Sequence, residues 1–362
     1  MQNLLDPAIL FFVFGVLAGA LKSNLEIPPA IAKFLSLYLL MALGLKGGFA
    51  LAQSGLSAHV VLSLLAAVLM AFIVPALGYQ WLKHRVSRFD AAAIAASYGS
   101  VSAVTFVTAT QYLEAQGLSP GGHMAVALVL MESPAIVMAV LLANMLRHTA
   151  GGDLPLPSPG GAAVARGVGP VSVPPLGKIL HESFTDGAHL LLLGAMAVGY
   201  LSGETGQAVM APFSTDLFKG LLAFFLLDMG LMVARNFGNV RGGSPVLIAY
   251  ASIGPMVHAA LALVLSALLG LPAADAALLM VLSASASYIV VPAVLRYAIP
   301  EAQPSLYFGL SLGVTFPLNI LFGIPVYTFV AMHVLGKVAV YALHALVHVD
   351  GREVHRFLEF LE

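Results

Sequence analysis

Ten apolar runs of about twenty residues follow one another along the chain, and they restrict its fold more than any other feature. A helix of that length crosses the roughly 30 Å of a bilayer's hydrocarbon core, and only helices or closed barrels satisfy every backbone hydrogen bond in lipid. The composition agrees, since 60% of the residues are hydrophobic and 9% are charged. We predict an all-α polytopic membrane protein with about ten transmembrane helices. The predicted spans are residues 7–22, 28–51, 57–81, 90–113, 122–146, 180–202, 213–234, 244–269, 272–298 and 304–333.

A segment rich in glycine and proline divides these spans into two sets of five. It runs from Gly151 to Pro175 and has few large apolar side chains, which predicts a flexible linker. The first residues lack the positive charges of a secretory signal, so we expect the first run to be a true span. The C-terminal segment is too polar to cross and favours a helix on the membrane surface, with metal ligation by His344 and His348 as an alternative. The predicted units are residues 1–150 and 177–335 as the two five-span repeats, 151–176 as a cytoplasmic linker and 336–362 as an amphipathic tail.

The charges of the connections predict the orientation of the spans. Bases follow the odd-numbered spans, whereas the even-numbered connections hold mainly acids, and positive charge in short loops marks the cytoplasmic side. Both termini are therefore predicted to lie outside. Because five is odd, the second set of spans enters the membrane in the opposite sense to the first, which is an inverted repeat. The bases are Lys22, Lys83, Arg85, Arg88, Arg147, Arg166, Lys178, Arg235, Arg241 and Arg296.

Two clusters of small hydroxyl residues interrupt otherwise apolar runs in the fourth and ninth spans. Shifting one half of the sequence on the other aligns Ser100 with Ser285 and Ser102 with Ser287. Glycine at position 99 weakens a helix by about 1 kcal/mol, and serine hydroxyls compete for backbone hydrogen bonds. We predict two interrupted helices that face each other, with free N–H groups for an anion and with carbonyls and hydroxyls for Na⁺. Close helix packing on small residues is the alternative. The predicted substrate-binding residues of the two clusters are Gly99, Ser100, Ser102, Ser285 and Ser287.

A carboxylate inside the fifth span is the sharpest candidate for a cation ligand. Glu132 lies in an apolar run directly before Ser133 and Pro134, where an unpaired acid is costly. It is predicted to bind Na⁺ or to carry a proton, and a packing acid satisfied by nearby hydroxyls is the alternative. Lys46 and Asp228, in the second and seventh spans, are predicted as structural or coupling charges that pair with each other or contact the substrate. The predicted Na⁺ ligands are Glu132, Ser102, Ser285, Thr315 and Asn319.

The sequence also excludes several kinds of activity. It has no cysteine, which removes disulfides, thiolate catalysis and Cys-ligated metals. Its net charge of −1 does not favour nucleic acid. Walker A and His-Glu-x-x-His motifs are absent from the sequence, and Gly-x-Ser-x-Gly does not occur around the two serine clusters. We predict a secondary transporter, not an enzyme, that is coupled to an ion gradient, with a Na⁺/H⁺ exchanger and a non-transporting membrane receptor or scaffold as alternatives.

Several motifs resemble the SbtA-type sodium-dependent bicarbonate transporters. The resemblance implies a symporter of Na⁺ and bicarbonate in the bacterial inner membrane, usually a homotrimer, in which a core domain moves as an elevator against a scaffold domain. It also implies a cytoplasmic PII-like regulator. It maps the substrate-binding serine motif of the family onto Gly99, Ser100, Ser102 and Thr105, and the acid before a proline in the fifth span onto Glu132, with Glu in place of the more familiar Asp. The motifs are the segment Asp90 to Ala135 with its Gly99–Ser102 cluster and Glu132–Ala135, Lys46-Gly47-Gly48, and Pro292–Arg296 followed by Ile299-Pro300.

The chain departs from the well-known cyanobacterial-type members in both serine clusters. Tyr288, Val290 and Val291 stand where those members carry Asp, Ser and Gly, and Ala103 and Val104 replace Gly and Ser. Polar ligands are thus lost from both predicted breaks. The chain is similar to the family as a divergent member, in which backbone groups hold the ions or a different small anion is carried.

Overall fold

The computed structural model describes residues 6–55, 57–151, 187–236, 244–288 and 290–336, and the regular elements in these ranges are all helical. The predicted linker after residue 151 and the tail after residue 336, with His344 and His348, lie outside the described residues. The helices are α1 Pro7–Ala20, α2 Pro29–Ser54, α3 Ala58–Leu82, α4 Arg88–Gly99, α5 Ala103–Ala115, α6 Met124–Gly151, α7 Gly187–Ala211, α8 Phe218–Asn236, α9 Pro245–Leu269, α10 Ala273–Ala284, α11 Val290–Ala298 and α12 Pro304–Gly336.

Seven helical stretches in the described residues are long and apolar enough to cross a membrane. One of them, Gly187–Asn236, contains the described part of the sixth predicted span and the whole of the seventh. There α7 bends at Gly203, whose φ of 54° favours glycine, and continues through the π-turn Pro212–Asp216 towards α8. α1 and α10 are shorter apolar helices. The all-helical membrane class agrees with the prediction, and each of the predicted apolar runs is helical over most of its described part.

Glycines hold two helix pairs in close contact. α1 packs along α8, and α2 packs along α7. A Cβ atom added to Gly15 would lie 2.3 Å from the carbonyl oxygen of Leu227 on α8, and one added to Gly48 would lie 2.1 Å from that of Met196 on α7. Any side chain at these positions would push the helices apart, so small residues set their separation. We call α1, α2, α7 and α8 the paired-helix group.

The other helices form a second group around the two interrupted helices. α3 packs on α4 and α6, and α9 packs on α10. α12 lies against α9, α10 and α4, and it contains two π-turns, Ser311–Thr315 and Asn319–Gly323. We call α3–α6 and α9–α12 the broken-helix group. It contacts the paired-helix group mainly where α6 meets α7, where α2 meets α5 and α6, and where α8 meets the first π-turn of α12.

Both predicted helix interruptions are confirmed, and each occurs at a serine. Ser100 is extended (φ −97°, ψ 176°) between α4 and α5. Ser285 is extended (φ −83°, ψ 169°) between α10 and α11. The helices that lead to them are buried throughout Asp90–Gly99 and Asp275–Ala284. The irregular backbone therefore lies inside protein, which is where a membrane protein tolerates it.

Candidate functional site

Hydrogen bonds join the two interruptions to each other. The amide of Ser102 donates to Ser285 Oγ at 3.1 Å, and the amide of Ser287 donates to the carbonyl oxygen of Ser97 at 2.8 Å. The two breaks therefore cross in direct contact. We call residues 97–105 together with residues 282–288 and 290–291 the crossing. The prediction that the two serine clusters face each other is correct.

Side chains at the crossing satisfy the helix ends that the breaks leave open. Ser102 Oγ accepts from the amide of Thr105 at 3.2 Å at the start of α5. Ser287 Oγ accepts from the amide of Val291 at 3.3 Å at the start of α11. Asn319 of α12 donates its Nδ2 to the last carbonyl of α10 at 2.8 Å. Helix ends that are buried need such partners, so these residues stabilise the two breaks.

Three buried hydroxyls at the crossing have no hydrogen-bond partner among the described residues. They belong to Ser97, Ser100 and Ser283. Leaving a buried hydroxyl unpaired costs about 1–3 kcal/mol, and such groups usually meet water or a ligand. Ser100 is one of the predicted site residues. Ser97 and Ser283 are not, although their position in or beside the serine clusters is a signal that could have selected them.

A small cavity of about 100 Å³ lies beside the crossing. Pockets for drug-sized ligands have roughly 300–1,000 Å³, so this space suits a small ion. Its wall combines hydroxyls from both breaks with a carboxylate. The polar residues that line it are Ser36, Ser102, Glu132, His189, Ser287 and Tyr288.

A contact between a carboxylate and an imidazole closes one side of this cavity. The carboxylate of Glu132 on α6 pairs with Nε2 of His189 on α7, and both residues are buried. An acid at this depth needs a partner, and here the partner comes from the other helix group. Sequence reasoning missed His189, because no spacing along the chain relates it to Glu132. A histidine within an apolar run was the one signal that could have found it.

Tyr288 also lines the cavity, at the position where the resemblance leads one to expect an acid. Its ring packs edge-on against Phe316 with the ring centres 5.5 Å apart, and its hydroxyl contacts the sulfur of Met229 at 3.6 Å. The substitution therefore replaces a charge with an aromatic wall. Among the described residues that line the cavity, Glu132 is the one that carries a carboxylate.

The predicted ligands Thr315 and Asn319 lie on α12, outside the described lining of the cavity. Thr315 Oγ1 donates to the carbonyl of Ala251 at 2.7 Å and accepts from Tyr98 at 2.6 Å. Asn319 accepts from the hydroxyl of Tyr327 at 3.3 Å. These bonds hold α12 against α4, α9 and α10. Gly99, Ser100, Thr105 and Ser285 likewise belong to the crossing and not to the cavity wall.

The predicted pairing of Lys46 with Asp228 is wrong. Lys46 Nζ lies 2.8 Å from Glu114 Oε2 of α5 and 4.6 Å from the ring centre of Phe218. Phe218 begins α8, whereas Asp228 follows about 15 Å further along that helix at 1.5 Å per residue. Lys46 and Glu114 line a separate cavity of about 390 Å³. Asp228 is buried on α8.

The chemistry of the crossing suits a hard cation together with a small anion. Oxygen atoms of carboxylates, hydroxyls and carbonyls are the ligands of such cations, and helix N-termini attract anions. In the part of the chain that the structure describes, no group of three His, Asp or Glu residues gathers as a transition-metal site would require.

Comparison with known families gives a match over most of the chain. Residues 7–332 match the model of the Na⁺-dependent bicarbonate transporter superfamily. The match includes the crossing, Glu132 and His189. No match was found among curated proteins.

Proposed function

Because the chain belongs to the Na⁺-dependent bicarbonate transporter superfamily, which is a family of transporters and not of enzymes, we propose that it is a symporter of Na⁺ and bicarbonate whose site is the crossing. The observation that carries this proposal is the meeting of two helix breaks beside a cavity of ionic size that contains the carboxylate of Glu132. Facing breaks offer N–H groups to an anion and oxygen atoms to a cation.

The two ions have different partners in this proposal. Na⁺ binds the carboxylate of Glu132 with the hydroxyl of Ser102, both of which line the cavity. Bicarbonate lies at the N-termini of α5 and α11, where the helix dipoles favour negative charge. The unpaired hydroxyls of Ser100 and Ser283 provide further hydrogen bonds at the crossing. Thr315 and Asn319 position α12 in this scheme and do not bind Na⁺ directly.

Matching contacts in the two halves support a five-plus-five inverted repeat with the boundaries given above. Asp90, at the start of α4, accepts from the amide of Gln303 at 2.7 Å. Asp275, at the start of α10, accepts from the amide of Gly121 at 2.6 Å. Each acid thus ties the start of a broken helix to the connection before the last span of the other half. The pairing of α1 with α8 and of α2 with α7 has the same symmetry.

Two larger cavities at the boundary between the helix groups support alternating access by an elevator movement. One, of about 390 Å³, lies between α2 and α5 beside the connection into α6. The other, of about 880 Å³, lies between α1, α8 and α12 beside Lys22. In the proposed topology they open to opposite faces, and the face with Lys22 is cytoplasmic. The broken-helix group is then the core that carries the crossing, and the paired-helix group is the scaffold.

The proposed assembly rests on the resemblance to the family, and the proposed orientation rests on the charges of the connections. We propose a homotrimer in the bacterial inner membrane, with both termini outside and with a cytoplasmic PII-like regulator as partner. Cross-linking in native membranes tests the trimer, and co-purification with a PII-like protein tests the regulator. The alternative of a receptor or scaffold depends mainly on residues 151–176 and 336–362, most of which lie outside the described residues.

Uptake of labelled bicarbonate into proteoliposomes tests the proposed function. With an inward Na⁺ gradient, the protein should accumulate bicarbonate above the level of protein-free liposomes. Replacing external Na⁺ by choline should abolish that accumulation, because a symporter moves its anion only with its cation. Uptake that is the same in Na⁺ and in choline contradicts Na⁺ coupling. An absence of bicarbonate uptake, with Na⁺ uptake driven by a different small anion, contradicts the choice of bicarbonate.

One observation favours a second function, Na⁺/H⁺ exchange. The buried pair of Glu132 and His189 contains two groups that can carry a proton. Vesicles loaded with a pH-sensitive dye distinguish the two functions when Na⁺ is added in the absence of bicarbonate. An exchanger moves protons out of the lumen as Na⁺ enters, so the lumen becomes alkaline. A symporter gives no such signal under those conditions.

A further inference from the structure

The pair of Glu132 and His189 joins the two helix groups at the site itself. Glu132 belongs to α6 in the broken-helix group, and His189 belongs to α7 in the paired-helix group. Both line the cavity of about 100 Å³, and only 4% and 8% of their surfaces are exposed. The pair is therefore a direct polar contact across the boundary that an elevator movement must open.

We propose that His189 is a positioning residue that holds the carboxylate of Glu132 until Na⁺ replaces it, and that this replacement frees the broken-helix group to move. The proposal rests on the proposed function, in which Glu132 binds Na⁺. An N–H donor and a cation both bind carboxylate oxygens, so His189 and Na⁺ compete for Glu132 in this proposal. Both side chains line the cavity that an arriving ion would enter.

The surroundings of the pair favour this exchange of partners. A buried carboxylate that loses a partner is destabilised. The described residues that line the cavity include no lysine and no arginine. In the proposal, Na⁺ is the cation that takes the place of the histidine at the carboxylate.

Coupling follows from the position of the pair across the boundary. Without Na⁺, a movement of α6 away from α7 separates the acid from its N–H donor and breaks a charge-assisted hydrogen bond. With Na⁺ bound, the acid keeps a partner that travels with its own helix group. Movement of the loaded carrier is therefore favoured over movement of a carrier that holds bicarbonate alone.

Three variants separate this role from a structural one. His189→Phe removes the N–H donor and keeps a planar ring, whereas His189→Gln keeps an N–H donor. His258→Phe is the matched control, because His258 is also buried but lies on α9, outside the lining of the cavity. Each variant is reconstituted into proteoliposomes, and bicarbonate uptake is measured over a series of Na⁺ concentrations and, separately, of bicarbonate concentrations.

We expect His189→Phe to lower the Na⁺ concentration for half-maximal uptake about tenfold, since Na⁺ no longer displaces a hydrogen bond to a charged group. Half-saturation by bicarbonate should stay unchanged, and uptake without Na⁺ should appear. His189→Gln and His258→Phe should behave as the wild type does. A folded His189→Phe protein with wild-type half-saturation by Na⁺ and no Na⁺-independent uptake overturns the proposal. So does a raised Na⁺ requirement, which would make His189 a support of the Na⁺ site.

A cysteine pair provides a readout that keeps His189 intact. The chain has no native cysteine, so Leu128→Cys on α6 and Leu192→Cys on α7, both at the cavity, report the contact between the two helices. Na⁺ should slow disulfide formation between them relative to choline, and equal rates overturn the proposal. If Na⁺ slows the reaction but the protein takes up no bicarbonate, the proposed function fails while the exchange of partners at Glu132 stands.

Discussion

Two serines of the same cluster should respond differently to replacement by alanine. Ser285 Oγ accepts the amide of Ser102 at 3.1 Å and donates to the carbonyl of Leu282 at 2.8 Å. That carbonyl also accepts the amide of residue 285 at 3.1 Å, so it keeps a partner in Ser285→Ala. The amide of Ser102 does not. One buried N–H group is then left unpaired, which costs about 1–3 kcal/mol.

Ser283→Ala is the matched control for this substitution. The hydroxyl of Ser283 is equally buried but has no hydrogen-bond partner in the described structure. Its removal leaves no protein group unpaired, so the stability should stay the same or rise. The two positions lie two residues apart, and Ser285→Ala removes two hydrogen bonds at the crossing, whereas Ser283→Ala removes none in the described structure.

The midpoint of thermal unfolding in detergent compares the two variants with the wild type. Light scattering or the binding of a fluorescent dye follows the transition. Ser285→Ala should lower the midpoint by about 2 °C for each kcal/mol lost in a chain of this size. Ser283→Ala should not lower it. Equal midpoints for the two variants, or a larger loss for Ser283→Ala, would refute the hydrogen-bond assignment at the crossing.

Two further predictions concern the helix pairs and the connection before α12. Gly48→Ala should lower the unfolding midpoint, because the new Cβ would lie 2.1 Å from a carbonyl oxygen of α7. Gly194→Ala on α7 is the control, because an added Cβ there meets nothing within 4 Å. It should be neutral or stabilising, since alanine favours the helix by about 1 kcal/mol over glycine. A fall in its unfolding midpoint as large as that of Gly48→Ala would contradict the packing. The second prediction concerns pH. Hydrogen bonds from Arg147 at 2.9 Å hold the pKa of Glu301, which lies between the last two spans, below its ordinary value of 4.5. The stability from this pair is therefore fully present above about pH 4.5 and is lost as the pH falls through the lower folded value. Glu301→Gln should remove that part of the acid sensitivity, and pH-dependent unfolding that is identical in both proteins would argue against it.

The fold class and the two breaks could be predicted because their causes are local in the sequence. An apolar run predicts a membrane helix by its length alone, and glycine with serine weakens a helix wherever it lies. The breaks therefore occur at Ser100 and Ser285, as predicted. The resemblance to bicarbonate transporters is confirmed for the same reason, since its motifs lie in contiguous segments.

Contacts between distant segments could not be predicted from these patterns. His189 reaches Glu132 because α7 packs beside α6, and nothing in the spacing of the two residues indicates that packing. The pairing of Lys46 fails in the same way, because a second acid, Glu114, reaches the same end of α2. Charge alone indicates that a partner is needed, and only the packing of helices decides which one it is.

Asp90 and Asp275 show what a repeat can and cannot indicate. Shifting one half of the sequence on the other aligns the two acids. Their role becomes clear only from their hydrogen bonds, since Asp90 accepts from the amide of Gln303 and Asp275 accepts from the amide of Gly121. Each partner lies in the opposite half of the chain. A repeat in the sequence indicates matching positions, whereas these cross-half contacts depend on how the halves interlock.

The Na⁺ dependence of bicarbonate uptake by Glu132→Gln most directly tests the claim that the crossing couples the two ions. Glu114→Gln is the matched control, because Glu114 is also a carboxylate in an ion pair but lines a different cavity. We predict that Glu132→Gln loses the stimulation of uptake by Na⁺ and that Glu114→Gln keeps it. Full Na⁺ stimulation in a folded Glu132→Gln protein would contradict the account.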